Sequence, residues 1–345
     1  MRTPMKIKRS DIEKSGPVTL ERVADLAGVS PSTVSRILNG SAVVSTAKKK
    51  AVEDAIAHLG FVPNPVARGL AGGRTLSIGV VTQAIDSPFY GPTLRGIEEE
   101  LDTAGYSPLF VSAHWDAASE ARCIDVLRSR RVDGLIVLHG RLSDQALKNT
   151  SKNLPIVITG RSIKGPGLFS LNFDNFTGGV LATEHLIKLG HRRIAFIKGD
   201  PLHPDATERF RGYKSALQAA GIAFDSRLVM SGDYQEITGV QATNHLLDSG
   251  QKFTAIFAAN DQMAFGAALS LHQHSLRIPE DMSLVGFDNL ARSLYVIPPM
   301  STVNQPAYEL GQLAATAMLQ MLAGKKPTGS LPAPQLIARD SSARP

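Results

Sequence analysis

Three short helical patterns follow one another near the start of the chain, where apolar residues recur every three or four positions. A hydroxyl residue that can cap a helix precedes each pattern, and a glycine follows each one. The second pattern also has Pro31 at its first helical position, where a missing N–H costs nothing. We therefore predict three helices that have caps at Thr19, Ser30 and Ser45 and that end at Gly28, Gly40 and Gly60.

Two segments around these helices lack a regular apolar pattern. Residues 1–17 are charged, contain Pro4 and Pro17 and show no periodicity, so we expect them to be disordered. Residues 61–75 read FVPNPVARGLAGGRT, and their two prolines and three glycines favour a linker. The VARGLA stretch within them is also compatible with one or two helical turns. The residues alone leave both interpretations of this segment open.

From residue 76 onward, short apolar runs alternate with longer amphipathic stretches. Such runs are typical of buried strands, and the stretches between them have helical spacing. Strands are expected near 76–82, 107–113, 133–138, 155–160, 193–199, 228–231, 254–260 and 283–288. Helices are expected near 90–104, 119–131, 176–189, 207–220, 235–249, 261–274 and 307–322. This alternation predicts parallel sheets with helices on both faces, the doubly wound α/β class.

The number of strands exceeds what one such domain usually holds, so we expect two similar lobes that divide near Asp174. A small all-α unit is expected over 18–62, followed by a hinge over 63–75. One lobe is expected to comprise 76–173 with 303–325, and the other 174–302 with 326–345.

The net positive charge of the chain is confined to its start. Residues 1–74 contain 12 Lys and Arg against 6 Asp and Glu, whereas the rest of the 37 basic and 31 acidic residues balance. A localised basic segment on a neutral body is typical of a protein that binds a polyanion, most often nucleic acid. A solvated basic tail would have the same charge, so charge alone leaves both interpretations open.

Other function classes lack their sequence signatures. No apolar run is long enough to cross a membrane, and the polar N-terminus does not resemble a secretory signal, so we expect a cytoplasmic protein without membrane contact. A single cysteine, Cys123, excludes an internal disulfide and a cysteine-rich metal site. Phosphate-loop, zinc-protease and nucleophile-elbow motifs are absent, so we expect no enzyme, no cofactor and no metal.

Two helices joined by a tight turn, within a basic segment, are typical of a helix-turn-helix, whose second helix lies in the major groove of DNA. That helix here is 31–38. Its apolar residues take the inner face, which leaves Ser32, Thr33, Ser35 and Arg36 to project outward. Arg36 is the one side chain among them that can hold a guanine by two hydrogen bonds, whereas Ser and Thr contact phosphates more often than bases.

The residues in this region resemble the headpiece of the lactose-repressor/galactose-repressor (LacI/GalR) family. The similarity runs through VTLERVADLAGVSPSTVSRILNG and VSTAKKKAVEDAIAHLGFVPNPVARGLAG. It continues in SIGVV, HLIKLGHRRIAFI, ERFRGY, FAANDQMAFGA and SLVGFDN, over nearly the whole chain. The resemblance implies a helix-turn-helix headpiece joined to a two-lobed sensor of the periplasmic-binding-protein type. It also implies a transcription regulator, most often a repressor, that binds a near-palindromic operator in double-stranded DNA as a homodimer.

Two rival classes fit less well. A periplasmic sugar-binding protein has the same two lobes, but it needs a signal peptide and has no helix-turn-helix. An α/β enzyme such as a sugar kinase or hydrolase needs a phosphate loop or an activated nucleophile, and neither motif is present.

The resemblance further implies a hinge helix that forms on the operator and wedges a leucine into the minor groove, which bends the DNA. The matching leucine is Leu70. One departure is Pro31-Ser32, where some relatives have a large polar or aromatic pair, so base readout here depends more on Ser32, Ser35 and Arg36. The residues expected to contact DNA are Thr19, Ser30, Pro31, Ser32, Thr33, Ser35, Arg36, Asn39, Ser45, Asn64, Ala67, Arg68 and Leu70.

Ligands of parallel α/β sheets bind at the carboxyl ends of the strands. Residues that follow the predicted strands include 83–89, His139, Arg161 and 203–209. The resemblance narrows the expected effector-binding set to Phe89, Arg209, Tyr234, Asn260, Asp288 and Gln305.

Asp, Asn and Arg side chains bond to sugar hydroxyls, and aromatic rings cover the apolar face of a pyranose, so a sugar or glycoside is the favoured effector. A purine-type or phosphorylated metabolite would use much the same groups and is the alternative. Plainer roles are also open: Asn260 and Asp288 could cap the following segments, and Tyr234 could face solvent.

The resemblance places the dimer contact near 90–104 and 261–295, and it implies that a ligand closes the cleft and moves the paired hinges. Effector and operator would then act on one conformational equilibrium. Whether the effector releases or promotes DNA binding stays open. The C-terminus lacks leucine heptads, so we expect a dimer and no tetramer.

Overall fold

The computed structural model describes residues 18–38, 44–61 and 74–345. Contacts divide the chain into two compact units, Met1–Leu76 and Ser77–Pro345. Residues 1–17, expected to be disordered, and most of the expected hinge lie outside the described residues. Within the described residues, no helix is both long enough and apolar enough to span a membrane.

The described part of the first unit contains three short helices, α1 (Leu20–Ala27), α2 (Pro31–Leu38) and α3 (Thr46–Leu59). Their inner faces meet in a small core of buried side chains: Val23, Ala24, Val34, Val52 and Ala55. Gly28 and Gly60 end α1 and α3 with φ of +65° and +61°, a conformation that glycine adopts without strain. The predicted ends at these two glycines are therefore confirmed.

The predicted caps are only partly correct. The hydroxyl of Ser30 accepts the backbone N–H of Thr33 at 3.3 Å, as expected. Thr19 and Ser45 occupy the N-cap positions of α1 and α3, but neither hydroxyl accepts a capping hydrogen bond. The backbone N–H of Glu21 and, to a smaller extent, the Thr19 hydroxyl donate to the carboxylate of Glu21, and both lower the pKa of that carboxyl. The exposed carboxylate thus competes for the hydroxyl that the cap would need.

The second unit begins with a five-stranded parallel sheet in the order β2-β1-β3-β4-β5. Alternate residues of its strands face two layers of helices, because successive side chains of a strand point to opposite faces. The strands are β1 (Ser77–Thr82), β2 (Ser107–Ser112), β3 (Gly134–Val137), β4 (Ile156–Thr159) and β5 (Leu168–Leu171). The helices that connect them are α4 (Tyr90–Thr103), α5 (Ala117–Ser129) and α6 (Asp144–Ser151). We call this sheet with its helices the N-lobe.

A second parallel sheet follows, in the order β7-β6-β8-β9, and forms what we call the C-lobe. Its core is rich in stacked aromatic rings around Phe196. The strands are β6 (Ile194–Lys198), β7 (Val229–Ser231), β8 (Ala255–Ala258) and β9 (Ser283–Val285). The helices are α7 (Asn175–Leu189), α8 (Pro204–Ala219), α9 (Glu236–Asp248) and α10 (Asp261–Gln273). The predicted doubly wound, two-lobed α/β architecture is confirmed.

The chain crosses between the lobes three times: after β5, after the short strand β10 (Thr302–Asn304), and after helix α11 (Ala307–Leu322). Helix α11 packs with α4 on the N-lobe sheet. Strand β10 pairs antiparallel with β11 (Gln335–Ile337), and β-bridges at Val285–Ser301 and Asp288–Asn304 join it to the C-lobe. The expected N-lobe segment that begins at 303 therefore starts two residues early, since Val303 and Asn304 pair on the C-lobe side. The sequence pattern did not predict β5, α6, β10 or β11, which are short and only partly apolar.

Three helix pairs pack so closely that their backbones touch: α4 with α11, α7 with α8, and α9 with α10. Each pair has one glycine on each helix at the crossing, and a Cβ there would overlap a backbone carbonyl of the partner helix. The pairs are Gly96 with Gly311, Gly179 with Gly212, and Gly239 with Gly266. No side chain separates the two helices at these points, which fixes each pair as one rigid element.

Candidate functional sites

Helix α2 presents a polar face that its packing leaves accessible. Val34 is fully buried, and Ile37 and Leu38 are half-buried against the small core. Ser32 and Arg36 are exposed, and Thr33 and Ser35 are half-buried. The guanidinium of Arg36 donates from Nε to the carbonyl of Ser32 at 3.2 Å, which aligns it along the helix. A polar face with an outward arginine is what a reading helix needs.

The other expected DNA contacts divide into two groups. Thr19, Ser30, Pro31 and Ser45 are exposed at the ends of α1, α2 and α3. Lysines 48–50 at the start of α3 are exposed as well, and two of them pair with Glu53 and Asp54. The remaining expected contacts lie outside the described residues: Asn39, Asn64, Ala67, Arg68 and Leu70.

A cavity of about 330 Å³ lies between the two lobes, at the carboxyl ends of both parallel sheets. Every strand of the C-lobe sheet and three strands of the N-lobe sheet are followed by residues that line it. The lining contains Ala84, Ser87, Phe89, Tyr90, Trp115, His139, Arg141, Asp200, His203, Asp205, Arg209, Asp233, Tyr234, Gln235, Asn260, Gln262 and Asp288. Five of the six expected effector-binding residues are therefore brought together here.

Arg209, on the first turns of α8, is the most constrained of these residues. Its Nε donates to Asn175 Oδ1 at 2.8 Å, one terminal nitrogen donates to the Ala259 carbonyl at 2.5 Å, and the other to Gln305 Oε1 at 2.8 Å. The guanidinium also lies 3.7 Å from the ring centroid of Phe287. Since a guanidinium has five N–H groups, three are already used within the protein, which leaves little freedom for the fork to turn.

Asp288 is the buried carboxyl of the cavity. Its Oδ1 lies 3.4 Å from a terminal nitrogen of Arg209, and among the described residues it accepts no hydrogen bond of good geometry. Burial raises the pKa of this carboxyl to about 7, against the opposing charge of Arg209. Tyr234 OH is buried without a hydrogen-bond partner among those residues too. Two unsatisfied polar atoms beside a cavity are chemically suited to a ligand that carries hydroxyl groups.

Asn260 has a structural role as well as a place in the lining. Its Oδ1 accepts the N–H of Met263 at 2.9 Å, which caps α10, and its Nδ2 donates to the carbonyl of Tyr234 at 3.0 Å. Asn260 therefore caps α10, as one of the two expected roles requires, and its amide also bonds to the backbone of Tyr234. Tyr234 does not face solvent: its ring lies 5.8 Å from the Arg209 guanidinium and 5.4 Å from the His203 ring.

The N-lobe side of the cavity is aromatic. The rings of Phe89, Tyr90 and Trp115 surround His139, with centroid separations of 5.9 to 6.3 Å to the imidazole. Tyr90 OH lies 3.2 Å from His139 Nδ1, and His139 Nε2 lies 3.1 Å from Asp205 Oδ2. His139 thus bridges the phenol of Tyr90 and the carboxylate of Asp205, and the tautomer of the imidazole decides which partner accepts from it. Burial raises the pKa of Asp205, but this hydrogen bond and the nearby positive charges outweigh it and lower the pKa.

Left-handed backbone is concentrated around this cavity. Trp115, His139, Tyr234 and Asp288 all line it and have φ of +57°, +60°, +73° and +107°. Side chains other than glycine rarely adopt this region, and such strain persists only where the surroundings impose it. Each of these residues follows a strand end, so the strain aims side chains into the space between the lobes.

Gln305 departs from the expectation. It is buried and does not line the cavity; its amide oxygen instead accepts from Arg209, so it positions that guanidinium from behind. The narrowed set also missed lining residues that follow strand ends, above all Trp115, Arg141, Asp200 and His203. The rule that ligands bind at strand ends already included His203 and His139, and it would have found Trp115 after β2. Tyr90 has no such signal, because it begins a helix.

Comparison with known proteins agrees with this arrangement. Residues 75–337 match a family described as periplasmic binding proteins and sugar binding domain of the LacI family, and residues 19–64 match the bacterial regulatory proteins of the lacI family. The chain belongs to the LacI family. As a member of it, the protein is a DNA-binding transcriptional repressor, and its relatives are regulators and not enzymes.

Among relatives of this LacI-family chain, the HTH-type transcriptional repressor PurR of Aliivibrio fischeri (strain MJ11) is 33% identical over 311 residues, which are 89% of this chain and 92% of the relative. The ribose operon repressor of Haemophilus influenzae is 34% identical over 304 residues, which are 88% of this chain and 92% of the relative.

Solved structures give the same result. A Lac repressor dimer bound to operator and the anti-inducer ONPF has a TM-score of 0.86 at 33% identity, and the match covers 95% of this chain and 100% of that one. The transcriptional regulator CelR in complex with cellobiose has a TM-score of 0.70 at 34% identity, and the match covers 94% of this chain and 99% of that one.

Proposed function

We propose that the operator affinity of this repressor is controlled by a small, uncharged ligand with several hydroxyl groups, a sugar or glycoside, bound in the cavity between the lobes. One observation carries the proposal. The cavity places the unsatisfied polar atoms of Asp288 and Tyr234 on its C-lobe side and a cluster of aromatic rings on its N-lobe side. A pyranose has the matching chemistry, since its hydroxyls bond to polar atoms and its C–H face packs on rings.

The charge of the lining argues against a phosphorylated effector. Four aspartates, two arginines and two histidines line the cavity. Both arginines already face carboxylates: Arg141 lies 2.8 Å from Asp200, and Arg209 lies 3.4 Å from Asp288. A phosphate would enter a net negative site in which no arginine is available without breaking an existing pair, and that costs desolvation energy. The favoured effector is therefore neutral.

A purine-type base is the second candidate. Phe89, Tyr90, Trp115 and Tyr234 offer several ring faces for stacking on a planar base, and Asp288 can accept from its N–H groups. Relatives named PurR are 33% identical to this chain, while others are a ribose operon repressor and a cellobiose-bound regulator. Both ligand types therefore belong in the first screen.

On the DNA side, we propose that α2 enters the major groove, with Arg36 on a base and the neighbouring hydroxyls on phosphates. The dimer that this requires would use the C-lobe surface near α10. Apolar side chains stand exposed there, with Tyr295 at 81% and Ile297 at 97% of full exposure, and Leu269 and Leu294 about half exposed. Apolar residues in such a cluster mark an interaction surface, and a dimer matches the assembly of the Lac repressor structure.

The proposed ligand class is tested by a thermal-shift panel on the full chain. Glucose, ribose, cellobiose, adenine and guanine are compared with glucose 6-phosphate and ribose 5-phosphate, each with the native protein and with Asp288→Ala. A neutral sugar or glycoside should raise the melting temperature of the native protein alone, and it should change binding to an operator selected from random DNA. Preference for a phosphorylated compound, or an equal shift in Asp288→Ala, would refute the assignment.

A further inference from the structure

Three contacts join the lobes directly across the opening of the cavity. The indole of Trp115 lies on the imidazole of His203, with ring centroids 3.8 Å apart and planes tilted by 33°. A terminal nitrogen of Arg141 donates to Asp200 at 2.8 Å. The third contact is the hydrogen bond of His139 to Asp205 already described. In each pair the first residue belongs to the N-lobe and the second to the C-lobe.

The three contacts are connected to one another. Arg141 also lies 3.5 Å from His203 Nε2, and its guanidinium lies 5.9 Å from the centroid of the Trp115 ring. Trp115 lies 6.2 Å from the His139 ring. They are also sheltered, because the side chains of His139 and Asp205 are 12% and 15% exposed, and those of Arg141 and Asp200 about a quarter exposed. Sheltered charge pairs are screened by water much less than exposed ones.

The N-lobe members are held in place before they meet the C-lobe. Trp115 and the preceding His114 both have left-handed backbone, with φ of +57° and +53°. The buried Gln83 fixes this turn, since its Oε1 accepts the Trp115 N–H at 3.1 Å and its carbonyl accepts the His114 N–H at 2.9 Å. Glu120 does the same for the next loop by accepting the N–H groups of Arg141 and Leu142. The chain thus maintains strained or tightly held turns at the points that touch the opposite lobe.

Two other residues of the cavity lining, Arg209 and Asn260, make no contact of this kind across the cavity within the part of the chain that the structure describes. The hydrogen bonds of Arg209 end on Asn175, Ala259 and the crossover residue Gln305, and those of Asn260 end on Met263 and Tyr234. These bonds organise the C-lobe side alone. Closure across the cavity is therefore carried by the other set: Trp115, His139 and Arg141 against Asp200, His203 and Asp205.

We propose that these six residues form a latch that holds the two lobes closed by protein contacts alone and so sets the balance between open and closed cleft before any effector binds. All of its groups are protein side chains, so the latch adds to any contact that a ligand makes between the lobes. The latch would raise effector affinity by keeping the binding-competent conformation populated.

The latch has a consequence for DNA binding that rests on the proposed function. If the effector favours the closed cleft, loss of the latch favours the open one, and the two changes must shift operator affinity in opposite directions. This relation holds whether the effector releases the operator or promotes its binding. An inducer-type effector predicts tighter operator binding by latch variants, and a corepressor-type effector predicts weaker binding.

The latch itself is tested without ligand or DNA by the distance between spin labels on the two lobes of the full chain. In a Cys123→Ser background, labels are attached at Asn149→Cys on α6 and Gln218→Cys on α8, both exposed helix positions. Labelled chain is mixed with an excess of unlabelled chain, so that a dimer carries at most one labelled pair. Pulsed electron spin resonance then compares the native latch with His203→Ala and with Asp200→Asn. His245→Ala, an exposed histidine on α9, is the matched control.

We expect one dominant distance for the native latch and for His245→Ala, and a longer or broadened distribution for both latch variants. Trp115 is the only tryptophan of the chain, so its emission gives an independent readout, and it should shift to the red in Asp200→Asn, which leaves the stacked histidine in place. Unchanged distances and emission in both variants would overturn the latch. Asp200→Asn preserves side-chain shape, so its circular dichroism spectrum and melting temperature should match those of the native chain. That match excludes misfolding as the cause of a longer distance.

The effect of the latch on DNA binding is measured with a duplex that the native chain selects from random DNA. The ligand in this experiment is the panel compound that raises the melting temperature of the native chain most. Latch variants should change the operator Kd by about fivefold or more, within the usual range of allosteric coupling and opposite in sign to the effect of the compound. A shift of the same sign would overturn the latch as the element that the effector uses. Opening in the spin-label experiment with no effect of any compound on operator binding would instead refute the proposed function and leave the latch intact.

Discussion

The two units of this chain handle polar side chains in opposite ways. In the described part of the DNA-reading unit, the candidate side chains lie on the outer faces and ends of regular helices, exposed or half-buried. The core beneath them contains five buried residues among those described. In the sensing unit, Arg209, Asp288 and Asn260 are buried, and Arg209 and Asn260 are hydrogen-bonded within the protein. Asp288 follows a strand end and has left-handed backbone. The first arrangement provides a surface for a large partner, and the second a shaped interior for a small one.

The two units also differ in which substitutions they tolerate. A unit with so small a core gains little stability from it and depends on every buried side chain, whereas its polar groups are individually replaceable. The sensing unit has a large core that tolerates a single truncation, but its buried polar groups are coupled to one another. The predictions that follow probe this contrast, from the loss of a whole folded unit to the titration of a single side chain.

Val52→Ala should unfold the reading unit selectively. Val52 is fully buried in the small core, and its truncation costs about 2 kcal/mol. A core of this size rarely supplies more than about 3–5 kcal/mol, so little stability remains. Operator binding should be lost while the melting transition of the sensing unit and its effector binding persist, measured by calorimetry and gel shift. Val126→Ala, the same change at a half-exposed site on α5, is the control and should alter neither.

Asp288→Ala should abolish the response of operator binding to effector while operator binding itself persists. The substitution removes the buried acceptor of the cavity and leaves the Arg209 guanidinium without its carboxylate. Titration of the selected operator with and without effector measures the response. Asp288→Asn, which keeps the shape and one oxygen, should retain part of it. A full response in Asp288→Ala would remove this residue from the effector site.

Arg36→Ala should reduce discrimination between the operator and a variant site by roughly 1–3 kcal/mol, the worth of one bidentate base contact. Effector binding should be unchanged, since the residue belongs to the other unit. Competition gel shifts at fixed salt measure the ratio of the two affinities. Lys49→Ala is the control: it removes an exposed positive charge from the same unit without touching a base, so it should affect both sites alike. Equal discrimination before and after Arg36→Ala would contradict the assignment.

The titration of Asp288 should produce a pH dependence of the stability of the sensing unit. Burial raises the pKa of this carboxyl to about 7 from an ordinary value of 3.8, so between these values the folded protein binds more protons than the unfolded chain. The stabilisation is fully present below the lower value and is lost as the pH rises through about 7. Asp288→Asn should therefore gain stability relative to the native protein with rising pH, measured by urea unfolding at several pH values. A constant difference would contradict the raised pKa.

Most of the secondary structure followed from local patterns in the sequence. The helix ends at Gly28 and Gly60 could be predicted because glycine alone adopts their backbone conformation without strain. The doubly wound sheets followed from long apolar runs such as those of β1 and β3, which are buried on both faces. Strands β5 and β10 could not be predicted, because only three or four residues pair and tertiary neighbours decide their state.

The cavity was predictable only in outline. The strand-end rule and the family resemblance led to Arg209, Asp288, Tyr234, Asn260 and Phe89, all of which line it. Two contacts could not be predicted from local patterns: the hydrogen bond of Gln305 to Arg209 and the stacking of Trp115 on His203. Each depends on how two segments that are distant in sequence meet in the fold. The missing capping bond at Thr19 has the same origin on a smaller scale, since the carboxylate of Glu21 competes for the hydroxyl.

The glycine-paired helices have a practical consequence for anyone who wishes to give this repressor a new ligand. Arg209 lies one turn before Gly212 on a helix whose backbone touches that of α7, and α7 also supplies Asn175 to the same guanidinium. A single helix exchanged for that of a relative would pack against a partner helix whose backbone does not fit it. Sensor chimeras should therefore exchange α7 with α8, and α9 with α10, as two-helix modules, and a library built on that unit should yield more folded proteins than one built on single helices.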